Sequence, residues 1–139
     1  MAKNIVADSG FWFGLFNPRD NYHREACSIE SSIEVHNLLV PWPSLYETMN
    51  TRLMRRRPER DRFRTYLKRP STVLLDDVPY RSSSLNYVID QVSTNLSLVD
   101  HVIRSMLEDR SIAINALVTF NAADFVDVCQ ARRIELIDC

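Results

Sequence analysis

The chain has 139 residues, a size typical of one domain, so residues 1–139 are expected to form a single unit. It is 45% hydrophobic and 25% charged, which excludes a disordered or fibrous class. No stretch approaches the roughly 18 apolar residues that a membrane helix needs, and the cytoplasm is the expected location. With only two glycines the chain cannot carry a glycine-rich phosphate loop or a dinucleotide fingerprint.

Short apolar runs alternate with segments of helical spacing along the chain. The runs predict five strands, near residues 5–7, 38–40, 73–75, 114–118 and 134–137. The spacing predicts helices over residues 26–33, 44–53, 84–92 and 97–107, and Pro58 is expected to open another. Strands that alternate with helices predict an α/β domain around a mainly parallel sheet.

Four acids stand where such a sheet would place a binding crevice. Asp8 closes the first strand, Glu47 follows the second, and Asp124 lies six residues beyond the fourth. Asp100 is early in an otherwise apolar helix. Ligand sites of parallel sheets form beyond the carboxyl ends of the strands. Each acid alone also has an ordinary explanation, since Asp100 and Asp124 could simply complement helix amino termini.

Carboxylates that converge in one crevice repel each other and need a counter-charge. A hard divalent cation supplies it, and Mg²⁺ and Mn²⁺ prefer oxygen ligands. Zinc fits poorly, because the three histidines are scattered and His23 with Cys27 is a weak pair on an exposed helix. The three cysteines, Cys27, Cys129 and Cys139, form no CxxC pair and are expected to be reduced thiols.

Residues 52–69 form a strongly basic segment, which we call the arginine block. It holds nine of the 17 basic residues, opposed only by Glu59 and Asp61. With Phe63 and Tyr66 between them, its cations could neutralise phosphates and its rings could stack bases. A solvated helix face or a protein interface explains the charge equally well. The residues proposed for nucleic-acid binding are Arg52, Arg55, Arg56, Arg57, Arg60, Arg62 and Arg64.

The order of the motifs resembles the PIN domain family, and within it the VapC-like toxin ribonucleases of toxin–antitoxin pairs. The motifs are "IVADSGFW", "VPWPSLYE", "LSLVDHVI" and "LVTFNAADF". The resemblance implies a three-layer α/β/α fold with a central, mainly parallel sheet. It also implies a Mg²⁺- or Mn²⁺-dependent endoribonuclease that leaves a 5′-phosphate and a 3′-hydroxyl.

The same resemblance assigns roles to individual residues. Asp8, Glu47, Asp100 and Asp124 match the acidic positions that would hold the metal and orient a hydrolytic water. Polar residues beside them, namely Ser9, Thr119 and Asn121, match supporting positions. A homodimer and a small inhibitory antitoxin are the partners that it implies, besides the RNA substrate.

Two other functions remain open. One is a PIN-like module that binds RNA through the arginine block without catalysis, and the other is a nuclease that acts on DNA or structured nucleic acid. Among the remaining residues, Trp12, Trp42 and Tyr46 are interpreted as core aromatics rather than base-stacking groups. Several polar residues are given purely structural roles: Asp20 and His23 in helix capping, Asp76 and Asp77 in a turn, and Glu108 and Asp127 as solvated helix positions.

Overall fold

A computed structural model describes residues 2–93 and 95–138 and contains five strands. The strands are β1 (Asn4–Ala7), β2 (Asn37–Pro41), β3 (Thr72–Leu75), β4 (Ala116–Val118) and β5 (Glu135–Ile137). Each overlaps one of the predicted apolar runs. Cys139, one of the three predicted thiols, lies outside the described residues, whereas Cys27 and Cys129 are free.

Seven α-helices connect these strands within the described ranges. They are α1 (Ser9–Phe16), α2 (His23–Ile33), α3 (Trp42–Met49), α4 (Arg57–Leu67), α5 (Val78–Asp90), α6 (Leu98–Glu108) and α7 (Val126–Arg132). Short 3₁₀ turns occupy Arg52–Arg55 and Ala122–Asp124. As predicted, Pro58 lies in the first turn of α4, where its missing N–H leaves no helical hydrogen bond unmade. No helix of the described residues is long and apolar enough to cross a membrane.

The sheet has the order β3-β2-β1-β4-β5, and every pair of neighbouring strands is parallel. All five strands therefore end at the same edge. The order switches direction beside β1, which pairs with β2 on one side and with β4 on the other. Ligands bind at such switch points because the connecting segments diverge there and leave a crevice.

Helices cover both faces of the sheet, which confirms the predicted three-layer α/β/α fold. Alternate strand residues supply the two cores: Ile5 and Ala7 face one layer, and Val6 faces the other. The first layer is built mainly from α1, α2 and α4, and the second from α6 and α7. The strands β1, β2 and β4 are buried on both faces, so they are almost continuously apolar, as parallel strands usually are.

Two helix predictions need correction, and one helix was not predicted from periodicity. The periodic pattern missed α1, because its side chains are apolar all round and show no amphipathic stripe. The helix predicted over 44–53 ends at Met49, which is 48% exposed rather than part of the core. The helix predicted over 84–92 begins earlier, at Val78, and stops before Val92, which is fully exposed.

The three aromatics interpreted as core residues divide into two groups. Trp12 is completely buried against other rings of α1 and α4, as predicted. Trp42 and Tyr46, on α3, are substantially exposed, so the prediction of a core position is wrong for both. These two sit on the outward side of a helix whose inward side is filled by Leu45 and Thr48.

Candidate active site

Asp8 lies at the switch point of the sheet, between β1 and α1. Its backbone N–H donates to the carbonyl of Val118 in β4 at 3.0 Å, so the residue continues the pairing of the two central strands. Its carboxylate caps α1, accepting from the N–H of Ser9 at 2.7 Å. Only 4% of the residue is exposed. The sequence folds this way because an acid is a favoured N-cap and because the next residues start a helix at once.

Two hydroxyl groups extend the site from Asp8 to neighbouring elements. Thr119, buried at the end of β4, donates its Oγ1–H to Asp8 Oδ2 at 3.1 Å. The Oγ of Ser9 donates to Glu47 Oε1 on α3 at 2.8 Å. Ser9 therefore connects the two acids, with its N–H on one and its hydroxyl on the other.

Burial and like charge make the Asp8 carboxylate costly to ionise. Burial is the main cause that raises the pKa of Asp8 from 3.8 to about 6, and it outweighs the hydrogen bonds from Ser9 and Thr119, which lower that pKa. The charges of Asp100 and Glu47 raise it further. Both acids are thus close enough to Asp8 for their fields to act on it.

Asp100 and Asp124 form the other side of the same edge. Asp100 is half-buried in the first turn of α6, where its N–H donates to the N-cap hydroxyl of Ser97 at 3.1 Å. Burial raises the pKa of Asp100, hydrogen bonds with Ser97 lower it, and the charge of Asp124 raises it. Asp124 ends the 3₁₀ turn that follows β4. The charge of Asp100 therefore raises the pKa of Asp8, and the charge of Asp124 raises the pKa of Asp100.

Asn121 supports this arrangement through its backbone. Its N–H donates to Thr119 Oγ1 at 3.0 Å, and its carbonyl accepts from the N–H of Asp124 at 3.0 Å. The hydroxyl of Thr119 is thereby fixed between Asn121 and Asp8. All seven residues proposed for the site thus lie at the carboxyl edge of the sheet, while their roles in catalysis stay a prediction.

No ion pair engages these four acids within residues 2–93 and 95–138. The ion pairs there use other carboxylates, and none joins a lysine or arginine to Asp8, Glu47, Asp100 or Asp124. In that part of the chain no three His, Cys, Asp or Glu side chains are close enough together to form a ready-made metal site. The donor set still fits Mg²⁺ or Mn²⁺ on chemistry, because these ions bind through one or two carboxylates and keep several waters.

The arginine block differs from its prediction. Phe63 and Tyr66 are buried in the core, so the expectation that their rings stack bases is wrong. Several arginines are engaged locally: Arg56 with Glu59, Arg57 with Asp61, and Arg62 with Glu30. Arg60 donates to the carbonyls of Met54 and Arg55. The exposed arginines of the block whose side chains take part in neither the described ion pairs nor the described hydrogen bonds are Arg52, Arg55 and Arg64.

Arg104 is a residue of the site to which the sequence motifs assigned no role. It lies one helical turn after Asp100 and donates Nη1–H to the backbone carbonyl of Asp124 at 2.7 Å. It also forms a bidentate pair with Asp127, at 2.7 and 2.8 Å. Asp127 is therefore an ion-pair partner as well as a largely exposed helix position. The available signal was a lone cation on a helix with apolar neighbours, four residues after an acid.

Asp77 also departs from its interpretation as a simple turn residue. It is buried directly before α5, and its carboxylate pairs with Arg81 at 2.9 Å. Because that pairing neutralises Asp77, the residue has the features of a structural acid at the end of β3.

Comparisons with known proteins identify the fold. No protein-family model matches the sequence, and no curated protein matches it either. Among solved structures, the chain is similar to VapC20 of Mycobacterium tuberculosis, a sarcin-ricin loop cleaving toxin, with a TM-score of 0.66 and 19% identity. That match covers 88% of this chain and 94% of VapC20.

A second similar structure is FitAcB from Neisseria gonorrhoeae, with a TM-score of 0.56 and 11% identity over 96% of each chain. Both matches span nearly the full length of this chain, and at these identities they establish the architecture. The predicted resemblance is thus confirmed as a likeness of fold: this chain has the α/β/α fold of VapC-type PIN domains.

Proposed function

We propose that the protein is a Mg²⁺- or Mn²⁺-dependent endoribonuclease that hydrolyses RNA phosphodiester bonds, and that it is the toxin of a toxin–antitoxin pair. The proposal includes the cytoplasm as the place of action and a small antitoxin as the inhibiting partner. The fold shared with VapC20 supports the general class. The catalytic assignment depends on the acids of the sheet edge.

One observation carries the proposal: a carboxylate is buried at the switch point without a cation. Asp8 is 4% exposed, lies near Asp100 and Glu47, and has a raised pKa. A structural acid in such a place is normally paired, because an unpaired buried charge destabilises the fold. A buried carboxylate that is unfavourable to ionise is typical of a functional site. A divalent cation would remove it.

The four acids would hold the ion, with Asp8 buried, Asp100 and Asp124 partly buried, and Glu47 exposed to solvent. A bound Mg²⁺ or Mn²⁺ supplies a more acidic water and neutralises charge on the phosphate. The Ser9 and Thr119 hydroxyls keep the carboxylates of Glu47 and Asp8 in fixed orientations. Such fixed orientation lowers the reorganisation required during reaction.

RNA binding would use the exposed cations of the arginine block. Arg52, Arg55 and Arg64 are the best candidates, since they are exposed and lie outside the ion pairs of the described residues. They can contact phosphates without first breaking an intramolecular pair. Because the rings of Phe63 and Tyr66 are buried and cannot stack on bases, the contribution of the arginine block to RNA binding would be electrostatic and largely independent of RNA sequence.

Cleavage of matched RNA and DNA strands tests the proposal. Purified protein is incubated with single strands of the same sequence, with Mn²⁺ or with a chelator, alongside the Asp8→Asn variant. We expect Mn²⁺-dependent cleavage of RNA that falls at least about 100-fold in the variant, since changes to residues that merely support metal ligands already cost about 10- to 100-fold.

Asp90→Asn is the matched control, because it removes the same charge from an exposed acid at the end of α5 that takes part in none of the described ion pairs. It should cleave like the wild type. Equal cleavage by Asp8→Asn and wild-type protein would contradict the catalytic assignment. RNA binding without cleavage would favour the non-catalytic module, and preferential cleavage of DNA would favour the other nuclease class.

A further inference from the structure

Arg104 connects the two elements that carry Asp100 and Asp124. It belongs to α6, one turn after Asp100, and its side chain is only 18% exposed. From there it reaches the segment that follows β4. One nitrogen, Nη1, contacts both the Asp124 carbonyl and Asp127 Oδ1, at 2.7 Å each, and Nη2 contacts Asp127 Oδ2 at 2.8 Å.

These contacts lie on both sides of the short segment between the 3₁₀ turn and α7. Asp124 ends the turn, and Asp127 is in the first turn of α7. A planar guanidinium that binds both carboxylate oxygens has a defined orientation, unlike a single point contact. The hydrogen bond with Arg104 is the main cause that lowers the pKa of Asp127 to about 2, so Asp127 stays charged and paired at neutral pH.

Arg104 is poorly suited to bind substrate directly. Both terminal nitrogens are already engaged, and a phosphate would have to compete with the bidentate carboxylate of Asp127. Its contact with Asp124 is to the backbone carbonyl, so it leaves the Asp124 carboxylate free. The geometry is that of a group which fixes the backbone while leaving the ligand oxygens available.

We propose that Arg104 is a positioning residue: it fixes the backbone of Asp124 against α6 and thereby sets the affinity of the acidic site for a divalent cation. The proposal rests on the proposed function, since it takes Asp124 as a metal ligand. Residues that orient metal ligands typically change affinity or activity by about 10- to 100-fold when they are replaced.

Mn²⁺ binding, measured by calorimetry on the metal-free protein, tests the cation part. Arg104→Gln should bind Mn²⁺ roughly 10- to 100-fold more weakly than the wild type. Arg104→Lys should be intermediate, because an ammonium can keep one contact but cannot make the bidentate pair. Wild-type affinity in Arg104→Gln would overturn the proposal.

Arg132 provides a matched control. It belongs to α7 and donates to the carbonyls of Leu107 and Glu108 at 3.1 and 2.8 Å, so it also ties α7 to α6, away from Asp124. Arg132→Gln should leave Mn²⁺ affinity unchanged. An equal loss in Arg132→Gln would overturn the proposal, because general loosening of α7 would then explain the effect.

Amide hydrogen exchange tests the positioning itself, with or without metal. The N–H groups of Asp124 and Phe125 donate to the carbonyls of Asn121 and Ala122, both at 3.0 Å. Exchange at these two amides should accelerate in Arg104→Gln but not in Arg132→Gln. Unchanged exchange would overturn the positioning role. If the wild-type protein bound no Mn²⁺, that result would overturn both the proposed function and the claim that Arg104 sets cation affinity. Hydrogen exchange at Asp124 and Phe125 would then still test whether Arg104 fixes the backbone of this segment.

Discussion

The acidic edge of the sheet and the arginine block are built in opposite ways. Four acids from distant parts of the sequence meet at one edge of the sheet, where no described ion pair neutralises them. The arginines are dense in sequence, yet in the fold many of them are engaged with nearby carboxylates and carbonyls. Density along the chain is therefore a poorer guide to a site than convergence at the switch point of a sheet.

The difference follows from topology. Parallel strands bring their carboxyl ends together, so acids that follow different strands, or that lie in a helix beginning at this edge, can meet however far apart they are in sequence. A helix instead spreads consecutive residues around its axis. In α4 that geometry buries Phe63 and Tyr66 and leaves the arginines facing solvent. Uncompensated charge is thus concentrated at the edge and diluted on the helix.

The largest expected effect is a loss of stability when a buried ring of the arginine block is removed. Phe63→Ala should lower the free energy of unfolding by about 3–5 kcal/mol, because it removes a buried ring that packs on Trp12 and Phe16. Trp42→Ala, at an exposed ring of α3, is the control and should cost much less. Chemical denaturation measures both. A small loss in Phe63→Ala would mean that the block's ring is a surface group after all.

The next effect concerns Asp8 and pH. Burial first, and then the neighbouring acids, raise the pKa of Asp8 to about 6 in the folded protein from 3.8, so the folded state binds its proton more tightly than the unfolded state. This difference makes stability fall as pH rises from about 4 to 6, by up to about 3 kcal/mol.

Asp8→Asn lacks that ionisation, and denaturation of metal-free protein between pH 4 and 7.5 measures the difference. The stability of the variant relative to the wild type should increase over this range and level off above pH 6. A difference that stays constant with pH would show that Asp8 ionises normally and that the acidic edge is not electrostatically strained.

The smallest effect concerns the exposed arginines. Replacing three of them with glutamine should reduce the salt dependence of RNA binding, with a change of about 2 in the logarithmic slope, since each phosphate contact in a single strand contributes about 0.7. The replaced residues are Arg52, Arg55 and Arg64. The control removes the same charge from exposed positions outside the block. Its residues are Arg19, Arg110 and Arg133.

Binding titrations at several salt concentrations compare the two triple variants. The control should keep most of the wild-type slope. Equal reductions in both would mean that RNA responds to net charge alone, and the arginine block would lose its assignment as the nucleic-acid interface.

Much of the fold could be predicted because its signals are local. The apolar runs at residues 5–7, 38–40 and 73–75 each fall within an observed strand. Parallel strands buried on both faces, such as β1 and β2, give short continuous apolar runs that are easily found in a sequence, and β3 has such a run although Val73 and Leu74 are exposed. The helix α1 was missed because a helix with apolar residues on all sides has no periodic signal in the sequence.

The site was only partly predictable. The positions of Asp8, Glu47 and Asp124 after strands, and of Asp100 early in an apolar helix, indicated all four acids, and the resemblance then assigned them a common role. The partners of Arg104 could not be inferred, because Asp124 and Asp127 are 20 and 23 residues away and meet it only when α6 packs beside α7. Likewise, which face of α3 is buried depends on its packing, so helical spacing misplaced Met49, and the general tendency of large aromatics to be buried misplaced Trp42 and Tyr46.

Mn²⁺ binding to the wild type and to two single variants, Asp8→Asn and Asp124→Asn, tests the central claim most directly. The claim is that acids from distant segments form one cation site. We predict saturable binding in the wild type that weakens at least about 10-fold in each variant, since residues at metal sites typically contribute that much. Wild-type affinity in both variants, or no binding in any protein, would contradict the account.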